Sequence, residues 1–397
     1  MANNGGALGN GPCREEVVTT ASGDPTDETR ALLALTMCKG VSDRTAWLLL
    51  EHFGSAREVI SAPADRLKEV EDLSADAVQG IRNPPADGEV ERELELMEAH
   101  RTRLVPYFSP DYPTPLKHLD RGAPVLLRMR GDYRREDQLA VAVVGSRRCS
   151  AYGRQQAARM AADLASMGFA IVSGMAAGID AAAHRGALLA KGRTLAVLGC
   201  GLASPLTPED AELAADVVAS GALISELPME TPPRPGNFPP RNRLISGLAL
   251  GVVVVEAASH SGSLITARLG GEQGKAVFAV PGNVDSPASR GCHQLIRDGA
   301  VLVESARDVV EGLGPLSEPI QLVAREGEAA VPVTDARILA LNERERGVLD
   351  LLGSAPRHID EIVAETQLAP SIVSATLLTL EIRGLIRQQA GQRYVRN

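Results

Sequence analysis

Leu139-Ala140-Val141-Ala142-Val143-Val144-Gly145-Ser146-Arg147-Arg148 is six apolar residues running into a glycine, a hydroxyl and two guanidinium groups. An apolar run of this length, rich in valine and stopped by glycine, reads as a strand buried on both faces. Beyond it, 152–167 has helical spacing, 170–172 is a second apolar strand, and a glycine loop leads into a helix over 180–191. A strand over 194–198 ends at Gly199-Cys200-Gly201, and 252–255 and 276–280 supply two more buried strands. Strands alternating with helices in this way imply a parallel, doubly wound sheet. The fold class is therefore multidomain α/β, centred on a Rossmann-like domain.

Reading outward, residues 28–104 are short helices over 29–39, 43–53 and 55–61, joined by turns at Gly40-Val41-Ser42 and Gly54, with a further turn at Ala62-Pro63-Ala64. They resemble a helix-hairpin-helix or sterile-alpha-motif-like module, and suit a simple packing cap equally well. The Rossmann-like domain is expected over 105–313, and a linker mixing Pro, Gly, Glu and Ala over 314–335. In 336–397, helical segments over 342–352, 359–366 and 370–383 precede a short hairpin around Gly391, the pattern of a winged helix. Residues 1–27 fit neither a secretory signal nor a basic transit peptide and are expected to be a disordered tail.

Composition narrows the function classes. The chain has 397 residues, enough for two or three domains. Its longest apolar run, 248–255, is closed by Glu256 and is too short to span a membrane. Five scattered cysteines without a Cys-x-x-Cys pair argue against a disulfide framework and a structural zinc site, so a reducing, cytoplasmic location and no metal are expected. A net charge of -9 disfavours coating of duplex DNA by bulk electrostatics, while leaving room for a local basic groove.

Three loops carry the chemistry. Gly145-Ser146-Arg147-Arg148 combines a close-approach glycine, a hydroxyl and phosphate-forking guanidinium groups. Ser173-Gly174-Met175-Ala176-Ala177-Gly178-Ile179-Asp180 places small residues ahead of a helix N-terminus. Each alone suits an unliganded strand-to-helix turn. Neither matches the Gly-x-x-x-x-Gly-Lys-Ser/Thr loop or a full Gly-x-Gly-x-x-Gly fingerprint, so nucleotide hydrolysis and hydride transfer lack their machinery and no cofactor is expected. The third loop, 234–243, puts Arg234, Arg241 and Arg243, Asn237 and Asn242, and Phe238 within ten residues. Arginine for phosphate and an aromatic face for an unstacked base is the division of labour in single-strand recognition. The plainer alternative is a solvated Pro-rich loop around one packed Phe.

Val144-Gly145-Ser146-Arg147, the 173–180 loop with His184, Phe238-x-x-Arg241-Asn242-Arg243-x-Ile245-Ser246-Gly247, Glu256-Ala257, Ser261-Gly262-Ser263-Leu264-Ile265-Thr266-Ala267 and Val280-Pro281-Gly282 occur in this order. Together they resemble the DNA-processing protein A family (DprA, also called Smf). The resemblance covers most of the chain. It implies a protein of natural transformation that binds and shields incoming single-stranded DNA, helps load the recombinase RecA, and dimerises through the Rossmann-like domain. It also implies a DNA site at Gly145, Ser146, Arg147, Ser173, Gly174, Met175, Gly178, Phe238, Arg241, Asn242, Arg243 and Ser246. Two departures stand out: Ala177 sits where many members have Arg, and Leu202-Ala203-Ser204-Pro205 lacks a Tyr common before that proline.

No Ser-His-Asp or Cys-His context for nucleophilic catalysis is visible, so the chain is expected not to be an enzyme. Asp180 and His184 share a helix face, with Asp180 better read as a first-turn cap. Glu256, at a strand end, is either a catalytic suspect or an ion-pair partner for Arg241 or Arg243. The rival reading, a nucleotide-binding or nucleotide-hydrolysing enzyme of the lysine-decarboxylase-like Rossmann group, requires a Pro-Gly-Gly-x-Gly-Thr loop of which Pro281-Gly282-Asn283 is only a partial echo.

Overall fold

The computed structural model of the chain describes residues 26–314, 343–352, 357–366, 368, 370–382, 386–389 and 393–396. All but the last two residues of the expected tail, and all but the first of the expected linker, lie outside these. Residues up to Leu313 form one compact unit and those from Gly314 onward another.

The first unit is built on nine strands: β1 (Thr102–Pro106), β2 (Leu126–Gly131), β3 (Ala140–Val144), β4 (Ala170–Ser173), β5 (Thr194–Val197), β6 (Ala222–Ser225), β7 (Gly251–Val254), β8 (Ala276–Ala279) and β9 (Val301–Leu302). Their spatial order is β1-β2-β6-β5-β4-β3-β7-β8-β9. From β6 to β9 every pairing is parallel, as the alternation implies. The departure is β2, which is antiparallel to both β6 and β1 and so leaves β1 pointing the same way as the parallel strands. Sequence patterning passes over β2 because it carries Arg128 and Arg130. Arg128 is nevertheless fully buried, its Nε donating to the buried Glu93 carboxylate at 2.7 Å.

Both faces of the sheet are covered, which is why the parallel strands from β3 to β8 are almost wholly apolar. Along β3, Ala142 and Val144 pack with Leu244 and Ile245 of α11 (Phe238–Leu248), while Val141 and Val143 face Ala157 and Leu164 of α8 (Ala151–Ser166) and Ala183 of α9 (Ile179–Leu189). The strand order reverses between β3 and β7: the chain builds outward from β3 to β6, then returns to β3's other side. In an open α/β sheet, the loops at the carboxyl ends beside such a switch point part to leave a crevice.

The helical front consists of α1 (Asp27–Met37), α2 (Asp43–Phe53), α3 (Ala56–Ser61), α4 (Ala64–Lys68), α5 (Ala75–Arg82) and α6 (Asp87–Ala99), while the short α7 (Thr114–Lys117) follows β1 and α10 (Pro208–Ser220) joins β5 to β6. Ser42, Ser55 and Ser74 cap α2, α3 and α5 by accepting from the third backbone N–H. The front belongs to the same compact unit as the sheet: Leu33, Leu35 and Leu49 share a core with Val125 and Leu126, and the Trp47 indole N–H donates to the Ala123 carbonyl at 2.8 Å.

In the second unit, helices Glu343–Asp350, Ile359–Thr366 and Pro370–Ile382 surround Val348, Leu349, Ile362, Leu377 and Leu380. Strand Arg393–Arg396 pairs antiparallel with Ile386–Gln389 and with Arg357–His358, giving the helices and small sheet of a winged helix.

Candidate nucleic-acid interface

A cavity of about 820 Å³ opens at the switch point. The loop after β3 supplies Gly145, Ser146, Arg147 and Arg148. Phe238, Arg241 and Asn242, expected on a loop, instead stand on the first turns of helix α11, where Pro239 and Pro240 are tolerated at the helix start, and the loop leading into α12 (Ser263–Glu272) contributes Ser261, Gly262 and Ser263. The wall, which runs from Val144 to Ala288, is therefore drawn from segments far apart in the chain that the strand order brings together.

The loops are held against one another. Ser146 N–H donates to the Glu256 carbonyl at 2.7 Å, and the Ser146 hydroxyl accepts from Arg148 N–H at 3.1 Å, closing a tight turn. Gly178, at φ +91°, lies against the Ser146 and Arg147 carbonyls, where a Cβ would collide with backbone. Gly174 lies under the Arg241 guanidinium, and a Cβ there would come to 2.7 Å from Nη1. Two of the glycines thus pack one loop onto the next.

The arginines separate into different jobs. Arg147 is exposed and makes no ion pair among the described residues; its guanidinium lies 4.6 Å from the Phe238 ring centroid, a cation–π stack at the crevice mouth. Arg148 and Arg234 are also exposed, likewise without ion pairs among the described residues. Arg241 is buried: Nη1 donates to the Gly174 carbonyl at 2.9 Å and to the Val197 carbonyl, tying α11 to the ends of β4 and β5. Burial and the neighbouring Arg147 disfavour its charge, against which Asp180 acts. Arg243 points elsewhere, binding Asp43 at 2.8 Å, Glu226 at 2.7 Å and the Gly122 carbonyl at 2.8 Å.

The remaining expected residues sort in the same way. Asn242 lines the crevice and donates to the Gly262 carbonyl at 3.4 Å. The Ser173 hydroxyl is buried against the Val143 carbonyl, Ser246 donates back into its own helix, and Met175, at φ +56°, turns into the core with Leu198 and Met97. Ala177 is exposed at the loop tip.

The titratable candidates have structural partners. The Asp180 carboxylate accepts from Gly174 and Ala176 N–H, fixing the second loop; burial raises its pKa, and Arg241 opposes that rise. His184 shares a 2.6 Å hydrogen bond with Thr194, and burial, with help from Arg241, pushes its pKa down to about 3, so it is neutral. Glu256 pairs with neither Arg241 nor Arg243. Its two oxygens accept from Ser150 N–H at 2.8 Å and Oγ at 2.6 Å, at the start of α8. Sequence reasoning missed this Glu256–Ser150 cap because its partners stand 106 residues apart. The Ser261–Ser263 wall it noted, but did not select as a site.

A switch-point crevice in a Rossmann-like sheet, carried with a helical front in one unit and followed by a winged helix in another, defines the architectural class. Residues 103–314 match the family model for DNA recombination-mediator protein A, and residues 332–392 that for the DprA winged helix domain. The chain belongs to the DNA-processing protein A (DprA/Smf) family. It is 33% identical over 388 residues to Protein Smf of Synechocystis sp., covering 92% of this chain and 98% of that one. Against Protein Smf of Escherichia coli it is 39% identical over 310 residues, covering 77% and 80%. The crystal structure of DNA processing protein A from Streptococcus pneumoniae superposes with a TM-score of 0.61 at 32% identity, over 71% of this chain and 97% of that one. Among the described residues no helix is long and apolar enough to cross a membrane, and no cluster of side chains suits a metal ion.

Proposed function

We propose that the chain binds single-stranded DNA in the switch-point crevice, shields it after uptake in natural transformation, and passes it to the recombinase RecA, acting in the cytoplasm as a homodimer through its Rossmann-like domain and without catalysing a reaction. The observation that carries the DNA reading is the Arg147–Phe238 stack at the crevice mouth. An exposed guanidinium with no carboxylate partner among the described residues is free to neutralise a phosphate, and its plane and the ring together offer faces for an unstacked base. Family membership supports the processing role. Against the nucleotide-hydrolase alternative stands Glu256, whose two oxygens are occupied by Ser150.

The experiment is a gel-shift series with oligo-dT and duplex of equal length. Tight binding to oligo-dT, weaker binding to duplex, and about a tenfold or greater loss in Arg147→Ala are expected, each charge-assisted phosphate contact being worth roughly 1.5–3 kcal/mol. Unchanged affinity in Arg147→Ala overturns the assignment. Adding RecA to the preformed complex then tests the handover.

A further inference from the structure

Outside the crevice, the described chain gathers four aromatics in one place. Trp47, the sole tryptophan, meets Tyr107 edge-on at 4.6 Å between ring centroids; Phe108 lies 6.0 Å from Trp47 and 5.3 Å from Tyr107, and Tyr112 lies 5.1 Å from Tyr107. Three of these have structural work. The Trp47 indole donates to the Ala123 carbonyl, the Tyr112 hydroxyl donates to the Pro124 carbonyl, and Tyr107 lies between them under Lys117 Nζ at 5.3 Å. Phe108 is different: it is 47% exposed and rests on a rigid aromatic base.

Its place in the fold gives it a partner. Phe108 follows β1, which runs with the parallel strands, so the ring stands at the same edge of the sheet as the crevice loops. Four strand spacings separate β1 from β4, about 20 Å. Within this interval a hollow of about 370 Å³ adjoins the crevice at the first turn of α11: Pro239 lines the crevice and Pro240 the hollow. Ala46 and Gly122, the chain neighbours of Trp47 and of its partner Ala123, line this hollow, together with Arg44, Arg121, which is paired with Glu51 at 2.6 Å, and Asp43 and Glu226, which hold Arg243. Arg44 is exposed and makes no ion pair among the described residues.

We infer that Phe108 is a second stacking station for single-stranded DNA, reached by a strand that leaves the crevice past Arg44. This rests on the crevice reading above. A ring held by edge-on neighbours stacks a base at little ordering cost, and every base offers a face to it.

The test compares the full chain with oligo-dT of about six nucleotides, enough for one station, and of about twenty, enough for both. Phe108→Ala is expected to weaken the long oligonucleotide by at least about fivefold while leaving the short one unchanged, and Phe108→Tyr to retain long-oligonucleotide affinity. Trp47 fluorescence reports directly, and is expected to change with the long oligonucleotide only. Equal affinity of Phe108→Ala and the unaltered chain for the long oligonucleotide overturns the inference, as does an equal loss for both lengths, which marks the ring as a packing residue. Failure of the unaltered chain to bind either length removes the crevice reading and this one with it; loss confined to Phe108→Ala with the long oligonucleotide leaves both standing.

Discussion

At the residue scale, two arginines that look equivalent in sequence differ in what surrounds them. Arg147 is exposed with an open guanidinium, whereas Arg241 is buried and spent on the Gly174 and Val197 carbonyls. Removing Arg147 is therefore expected to change stability by no more than about 0.5 kcal/mol while weakening DNA binding. Removing Arg241 leaves two carbonyls unpaired and a void between three loops, an expected loss of roughly 2–5 kcal/mol. Urea unfolding beside the gel shift separates them; equal stability loss in both variants contradicts the division. Gly178 gives a second case, since alanine there requires a left-handed backbone and collides with the Ser146 and Arg147 carbonyls. Gly178→Ala is expected to lower stability by about 1–3 kcal/mol in the same urea assay, and unchanged stability contradicts this account of the packed loops. The identity of these positions was legible in the sequence from the glycine loops and the arginine-rich segment. Their roles were not, because burial depends on which loops the strand order sets side by side.

At the element scale, α11 joins two surfaces. Its first turn presents Phe238 and Asn242 to the crevice, while Arg243 binds Asp43 at the start of α2 and Glu226 after β6. One guanidinium between two half-buried carboxylates leaves a surplus negative charge. Burial, with Glu226 beside it, pushes the Asp43 pKa up to about 7, despite Arg243 and the Val125 N–H that Asp43 accepts. The folded state thus binds a proton at pH values where the unfolded chain, with its carboxyl near the ordinary 3.8, has lost it. Such a group favours folding fully below about pH 4, and that contribution declines as the pH rises toward 7. Thermal melts from about pH 5 to about pH 8 are expected to show the unaltered chain losing stability relative to Asp43→Asn, which keeps an acceptor for Val125 but does not titrate. Parallel pH profiles contradict the clamp. Strands β3, β4, β5, β7 and β8 and the helices that follow β3, β4 and β7 were legible from apolar runs of the right length, whereas α11 was not, because its Pro-rich first turns read as a loop. β1 and β2, with their arginines, four-residue β6 and two-residue β9 were not, because their fit depends on buried partners or neighbouring strands rather than on local pattern.

For the whole molecule, the central tension is between an acidic chain and an anionic ligand. A net charge of -9 disfavours attraction by the protein as a whole, so affinity has to come from where individual unpaired cations stand. The doubly wound topology places them by gathering carboxyl-end loops at one edge, and Arg147, Arg148 and Arg234 reach that edge exposed and without ion pairs among the described residues. That arrangement fixes how binding responds to salt. Three phosphate contacts on a single strand imply a slope of log affinity against log salt of about -2, shallow beside that of a duplex-coating protein. Arg147→Ala is expected to reduce the slope by about 0.7, because one contact and its released counterion are gone. Arg243→Gln is expected to leave the slope unchanged, since that side chain is already neutralised by Asp43 and Glu226. Fluorescence anisotropy with labelled oligo-dT over a salt titration measures all three slopes. A steep slope for the unaltered chain, or a response to Arg243→Gln equal to that of Arg147→Ala, means that the strand follows a different set of cations from those at the crevice mouth.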